Sequence, residues 1–197
     1  MKQLLNEICA DVKKRFDETD TSNLVYHNFS HTLEVTEKTV KAAHVLGLDL
    51  WTIYWLEISA WFHDVGYLYT YHGHEDKGIE IANDFLIKAD ADPRGIKFLN
   101  SCISSTKMSE KPKNKAEALL KDIDLAYGVS GNFLERGQLL RKEWELCLGK
   151  FYSDKDWELL QFDFLSNLKF DSEYGQLNFA ALVRKNLIYQ TELIKGL

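Results

Sequence analysis

The chain has 197 residues, of which 45% are hydrophobic and 27% charged, and this composition excludes a disordered chain and a disulfide-stabilised miniprotein. Its 24 basic residues are outnumbered by 30 acidic ones, and the formal charge of -6 has the wrong sign for a protein that binds duplex nucleic acid through its phosphates. Any anionic substrate must therefore be held by a local positive charge, such as a metal ion.

The location of the protein is predicted from two features. The N-terminal segment has no unbroken apolar core followed by a small-residue cleavage site, and no later segment approaches an apolar run of membrane length. Cys9, Cys102 and Cys147 lie far apart without Cys-x-x-Cys spacing, which favours packing residues in a reducing compartment over disulfides or a thiolate zinc site. We therefore expect a cytoplasmic protein with no membrane partner.

Apolar residues recur at helical rather than strand spacing along nearly the whole chain, so the sequence predicts an all-α protein. Pro93 after Asp92 is typical of the first helical residue behind an N-cap, and Pro112 lies in a polar segment, 108–114, that predicts a loop. The patterns together predict helices over 2–17, 30–47, 50–64, 75–89, 93–106, 115–127, 132–148, 154–169 and 177–195.

The third predicted helix, 50–64, is apolar on almost every side, which indicates a helix in the centre of a bundle. It ends in His63 and Asp64. Because desolvating a carboxylate at a buried helix end is costly, a cation is the simplest explanation for this pair.

Other candidate ligands lie before and after this pair. His27 and His31 are four residues apart at a predicted helix start, so they share one face. Asp122 and Asp124 flank a single isoleucine and point in different directions on a helix, so we expect only one of them to face the core. Imidazole nitrogens and carboxylate oxygens suit divalent first-row metals better than thiolate-seeking ones.

The order of these motifs, a histidine, then His-Asp, then a distant aspartate, resembles the HD-domain superfamily of metal-dependent phosphohydrolases. The segment Tyr26-His27-Asn28-x-x-His31 is similar to the opening motif of the cyclic-nucleotide phosphodiesterase branch and of small bacterial HD phosphohydrolases. Three further elements follow in the family's order: Trp61-Phe62-His63-Asp64-Val65-Gly66-Tyr67, Ile103-Ser104-Ser105-Thr106 and Asp122-Ile123-Asp124-Leu125.

The resemblance spans residues 24–128 and implies an all-α HD-domain bundle. The remaining segment, 130–197, carries no motif of the family and is predicted to be a C-terminal helical extension. We expect the two parts to form a single domain over 1–197.

Residue roles follow from the resemblance. It implies metal ligands at His31, His63, Asp64 and Asp124, with Asp122 as the alternative to Asp124. The cofactor it implies is one or two divalent ions of Mn, Mg, Co, Ni, Fe or Zn.

Two catalytic roles are also implied. In the phosphodiesterase-like pattern, His27 is not a ligand but protonates the leaving oxygen. Glu75 stands where related proteins have an acidic residue, and it could position the attacking water or a second metal ion.

The chain departs from the family pattern at Lys107, where many relatives carry a histidine after the Ile-x-x-Thr element. His72 and His74 could replace that histidine, but we expect them to be loop residues. Lys107 belongs to a local cationic cluster between 107 and 115 and is the candidate substrate-binding residue, through contact with a phosphate; a solvated connection is the alternative.

The resemblance therefore predicts a metal-dependent phosphohydrolase that cleaves a phosphate ester of a nucleotide or another small phosphorylated metabolite. One alternative is an iron-dependent oxygenase on the same scaffold, if His72, His74 or Glu75 complete a di-iron centre. Another is a non-catalytic module that binds a metal or a nucleotide, against which the intact His27 and the intact pair of His63 and Asp64 argue. The sequence makes no prediction of the oligomeric state.

Overall fold

Helices account for all regular secondary structure in residues 2–196, the part of the chain that this computed structural model describes. The α-helices within these residues are α1 (Lys2–Glu18), α2 (Phe29–Val45), α3 (Leu50–Phe62), α4 (His74–Lys88), α5 (Pro93–Thr106), α6 (Lys115–Val129), α7 (Phe133–Leu148), α8 (Asp154–Asn167) and α9 (Glu173–Lys195). One 3-10 helix, Val65–Leu68, follows α3. The all-α prediction is confirmed.

Polar side chains at the N-caps define where several helices begin. Asn28 accepts a hydrogen bond from a backbone N–H at the start of α2, and Asn114 does the same for α6. Asp92 caps α5, with Pro93 as its first residue, as predicted. The segment 107–114 is the non-helical connection between α5 and α6, and it contains the predicted loop 108–114.

The central helix α3 is apolar on all sides because it lies between two hydrophobic clusters. Leu56 and Ala60 belong to the cluster that includes α2, α6 and α9. Ile58 and Phe62, on the opposite side of α3, pack with α1, α4 and α5. The predicted end of α3 at residue 64 is wrong by two residues: the helix ends at Phe62, and His63 and Asp64 lie in the turn before the 3-10 helix.

Two glycines let the 3-10 helix and α4 approach each other closely. A Cβ atom on Gly66 would lie 1.9 Å from the carbonyl oxygen of His74, and one on Gly78 would lie 2.8 Å from that of Phe62. No larger residue is accommodated at such distances without a shift of the backbone. The contact places the first turn of α4 directly beside His63 and Asp64.

Within residues 2–196, no helix combines the length and the apolar character needed to cross a lipid bilayer. The cytoplasmic location and the single-domain organisation stay predictions.

We predict that Gly66→Ala lowers the free energy of unfolding by about 1–3 kcal/mol, because the added methyl group overlaps the backbone of α4. Urea denaturation measures this change. Gly196→Ala is the control, since a Cβ atom there makes only an ordinary contact, at 3.5 Å from the carbonyl oxygen of Leu193. Equal stability of the two variants would show that the close approach does not constrain the fold.

Candidate metal centre

Three helices position the four candidate ligands around one buried point. The side chain of Asn28 accepts the backbone N–H of His31 at 3.1 Å, which starts α2 and directs His31 inward from its first turn. His63 and Asp64 follow the last residue of α3, and Asp124 lies in the second half of α6. His31, His63 and Asp64 are buried, and Asp124 is partly exposed.

The donor atoms of these side chains face one another. The Nε2 atom of His31 lies 2.9 Å from Oδ2 of Asp64 and 3.3 Å from Oδ1 of Asp124. For Nε2 of His63 the corresponding distances are 3.3 and 3.5 Å, and the two Nε2 atoms are 3.4 Å apart. All four donor atoms lie within 4.8 Å of one another.

This spacing suits a divalent cation. Ligands at about 2.1 Å from a metal stand about 3.0–3.4 Å from each other at adjacent corners of a coordination polyhedron, which is close to the measured distances. Asp64 Oδ2 is fully buried without a hydrogen-bond partner, although an imidazole nitrogen is only 2.9 Å away. Short distances without hydrogen-bond geometry are expected of atoms that share a metal rather than a proton.

The protonation of His63 is also the one that a metal site requires. Its Nδ1 lies 2.7 Å from the carbonyl oxygen of Ala60, which can only accept a hydrogen bond, so Nδ1 carries the proton. The lone pair of Nε2 is then directed into the cluster. A backbone carbonyl commonly fixes the tautomer of a metal-binding histidine in this way.

The charges of the cluster favour the binding of a proton or a cation. Burial disfavours protonated His63, but the carboxylates of Asp64 and Asp124 outweigh burial and raise the pKa of His63 well above its ordinary value. Burial would raise the pKa of Asp64, but His63 and His31 lower it well below the usual range. The two carboxylates therefore attract a proton onto each imidazole or, equally, a metal cation in place of those protons.

The two aspartates of α6 have separate environments. Asp122 is fully buried, and it lies on a different side of the helix from Asp124, which is partly exposed. Its carboxylate accepts hydrogen bonds from the backbone N–H groups of Asp171 and Ser172, at 3.1 and 2.7 Å, and from the Ser172 hydroxyl at 2.6 Å. Asp124 therefore belongs to the cluster, whereas the hydrogen bonds of Asp122 connect the start of α9 to α6.

His27 lies beside the cluster without being part of it. Its ring centroid is 5.6 Å from that of His31, and the ring stacks on Tyr67 with centroids 4.1 Å apart. Its Nδ1 atom is hydrogen-bonded to Glu143 of α7. The imidazole is thus held next to the four donor atoms by contacts that do not use its Nε2 atom.

The expectation that His74 is a loop residue is wrong. His74 is the first residue of α4, and its Nε2 lies 3.7 Å from Oδ1 of Asp64, the oxygen that does not face the other two histidines. Glu75 Oε1 is 3.5 Å from the same nitrogen. His72 lies in the turn before α4 and is exposed. The close packing of Gly66 against α4 explains why His74 reaches the centre.

Lys107 follows the last residue of α5, and its ammonium group pairs with Asp76 at 2.6 Å, one residue beyond Glu75. Lys115, from the same cationic cluster, is 3.6 Å from Glu173. Contact of Lys107 with a substrate phosphate stays a prediction.

Glu143 was not among the predicted site residues. It is fully buried, yet it lies in the C-terminal extension, beyond the motifs that resemble the family and 116 residues after His27. One signal was present in the sequence, since Leu139, Glu143 and Leu146 share a helix face on which a carboxylate is out of place.

No protein-family model matches the chain, and no curated protein matches it in sequence. Its fold is similar to that of a solved protein, described as a predicted HD superfamily hydrolase, from an uncultured Thermotogales bacterium, with a TM-score of 0.61. The two chains are 18% identical, and the match covers 95% of this chain and 92% of the other. The predicted HD-domain fold, including its additional C-terminal helices, is confirmed.

The two aspartates provide a matched test of the ligand assignment. We predict that Asp124→Asn weakens Mn²⁺ binding by about 100-fold or more, because the amide removes a negative charge from the cluster. Asp122→Asn should bind Mn²⁺ as the unmodified chain does, but lower the free energy of unfolding by about 1–3 kcal/mol, because buried donors at the start of α9 lose a charged acceptor. Calorimetric titration and urea denaturation measure the two effects. The reverse pattern would assign the ligand role to Asp122.

Proposed function

We propose that this chain is a metal-dependent phosphohydrolase that cleaves a phosphate ester of a small metabolite, with nucleotides among the candidate substrates. The observation that carries the proposal is the buried convergence of two imidazoles and two carboxylates, with a further histidine, His27, beside them. The fold is in agreement, because the similar Thermotogales protein is described as a predicted hydrolase. Fold alone does not specify a reaction, so the site carries the argument.

The metal ligands in this proposal are His31, His63, Asp64 and Asp124. A divalent cation bound there supplies two things: a lower pKa for water at neutral pH and a counter-charge for the phosphoryl oxygens. The acidic protein needs such a local counter-charge to hold an anionic substrate, since its formal charge is -6. Lys107 would add a second contact to the phosphate, from an ammonium group that now pairs with Asp76.

The other proposed roles belong to groups around the ligands. His27 donates a proton to the leaving oxygen, an effect typically worth about 10²- to 10⁴-fold in rate. Its ring, stacked on Tyr67, is held in one plane for this task. Glu75 orients the attacking water from the start of α4, where its carboxylate lies 3.5 Å from the imidazole of His74.

A second candidate function is an oxygenase with two iron ions. It is favoured by the position of His74 and Glu75 at the second oxygen of Asp64, where they would complete a site for another ion. Two irons per chain, with consumption of oxygen and no release of phosphate, would identify this function instead.

A phosphate-release assay tests the main proposal. A panel of nucleotides and sugar phosphates is incubated with the protein and Mn²⁺, Co²⁺, Mg²⁺ or Ni²⁺, and we expect release that a chelator abolishes. Asp64→Ala should lose both the metal and the activity. Absence of release with every metal and every ester would contradict the proposal.

His27 has a more specific expected effect. His27→Ala should retain the metal but lose about 10²- to 10⁴-fold in kcat on alkyl phosphates, whose leaving oxygen needs a proton. On p-nitrophenyl phosphate, whose leaving group departs as an anion, the loss should be much smaller. Equal losses on the two kinds of ester would exclude His27 as the acid.

A further inference from the structure

Glu143 of α7 is a fully buried carboxylate that accepts four hydrogen bonds, all from the vicinity of His27. Its Oε2 atom accepts the backbone N–H groups of Tyr26 and His27 at 2.7 and 2.9 Å. Its Oε1 atom is bonded to Nδ1 of His27 and accepts the Tyr71 hydroxyl at 3.0 Å. One side chain from the C-terminal extension thus holds both the backbone and the ring of His27.

We propose that Glu143 is a positioning residue that fixes the tautomer and the orientation of His27 for proton transfer from Nε2. The inference rests on the proposed function, in which His27 is the acid. A carboxylate can only accept hydrogen bonds, so its contact with Nδ1 requires the proton to be on that nitrogen. Nε2 is then the ring nitrogen that faces a substrate.

Proton transfer from His27 accompanies the departure of the leaving oxygen. As the bond between phosphorus and the leaving oxygen breaks, its electron pair stays on that oxygen, and the oxygen takes the Nε2 proton of the His27 imidazolium. The attacking water forms the new bond to phosphorus and releases one proton to bulk solvent, from which Nε2 of His27 is reprotonated for the next turnover. His27 is left as a neutral imidazole whose remaining proton is on Nδ1, still bonded to Glu143.

The charge of Glu143 suits this role. Among the ion pairs within residues 2–196, His27 is the partner of Glu143, and no lysine or arginine lies within ion-pair distance of its carboxylate. Burial would raise the pKa of Glu143, but hydrogen bonds from His27 and from the two backbone N–H groups lower it below its ordinary value. The group that accepts the Nδ1 proton of His27 is therefore an ionised carboxylate, which is a stronger acceptor than a neutral one.

Packing supports the same geometry. The ring of His27 is nearly parallel to that of Tyr67, with 17° between the planes, and Tyr67 stacks in turn on His74. Tyr67 therefore restricts the plane of the His27 ring, but stacking alone allows a flip that exchanges Nδ1 and Nε2. The hydrogen bond to Glu143 removes that freedom.

The first test compares Glu143→Gln with Glu143→Asp in the metal-loaded protein. The glutamine keeps the shape, and its carbonyl oxygen can still accept the backbone N–H groups, but its amide group then donates to Nδ1 of His27 and reverses the tautomer. We expect kcat on an alkyl phosphate to fall by about 10- to 100-fold. KM and metal content should be unchanged, p-nitrophenyl phosphate should be affected much less, and Glu143→Asp should recover part of the rate.

Glu158→Gln is the matched control. Glu158 is also a buried glutamate of the C-terminal extension, but it is hydrogen-bonded to Gln190 of α9 and to none of the site residues. We expect the rates of this variant to lie within about 3-fold of the original. The proposal would be overturned if Glu143→Gln and Glu143→Asp lost kcat equally, and equally on alkyl phosphates and p-nitrophenyl phosphate. Glu143 would then have only a structural role.

A second readout does not depend on activity. In ¹⁵N-histidine-labelled protein loaded with Mg²⁺, neutral His27, identified by its absence in His27→Ala, should be protonated on Nδ1, and Glu143→Gln should move that proton to Nε2. An unchanged tautomer in Glu143→Gln would overturn the proposal even if activity falls. If the original protein hydrolyses no ester, the proposed function fails, and the tautomer still decides whether Glu143 controls His27.

Discussion

The architecture of the site depends on the cost of placing two carboxylates, Asp64 and Asp124, among buried side chains. An ionised carboxylate loses several kcal/mol of hydration in such a place unless positive charge compensates it. Here the compensating groups are His31 and His63, which carry positive charge only while they hold protons. A divalent cation satisfies both carboxylates and leaves the imidazoles neutral, so the cluster is better explained as a metal centre than as a set of buried hydrogen bonds.

The fold serves this arrangement through where its helices begin and end. The N-cap of α2 directs His31 inward, the end of α3 presents His63 and Asp64, and α6 supplies Asp124. The close contact at Gly66 adds the first turn of α4, with His74 and Glu75. The C-terminal extension is also part of the site, because α7 supports His27 through Glu143 and α9 is fastened to α6 through Asp122.

Much of this was predictable from local pattern. Helical periodicity placed the nine α-helices found within residues 2–196, and the largely apolar segment 50–64 correctly indicated the central helix, because hydrophobic spacing reports which faces are buried. His31, His63, Asp64 and Asp124 were selected by resemblance to a family, and the structure brings their donor atoms together. The start of α9 was predicted at 177 but lies at 173, since its cap, Ser172, is held by a distant aspartate. Glu143 and His74 could not be placed from local pattern, because their contacts depend on how distant helices pack.

The most direct test of the metal centre is anomalous X-ray scattering from crystals grown with Mn²⁺. We expect a strong peak about 2.0–2.3 Å from Nε2 of His31, Nε2 of His63, a carboxylate oxygen of Asp64 and one of Asp124. A second peak near His74 and Glu75 would extend the centre to two ions. The metal assignment would be contradicted if crystals of the folded protein in saturating Mn²⁺ showed no peak between the four side chains. An ordinary hydrogen-bonded network would then stand in its place.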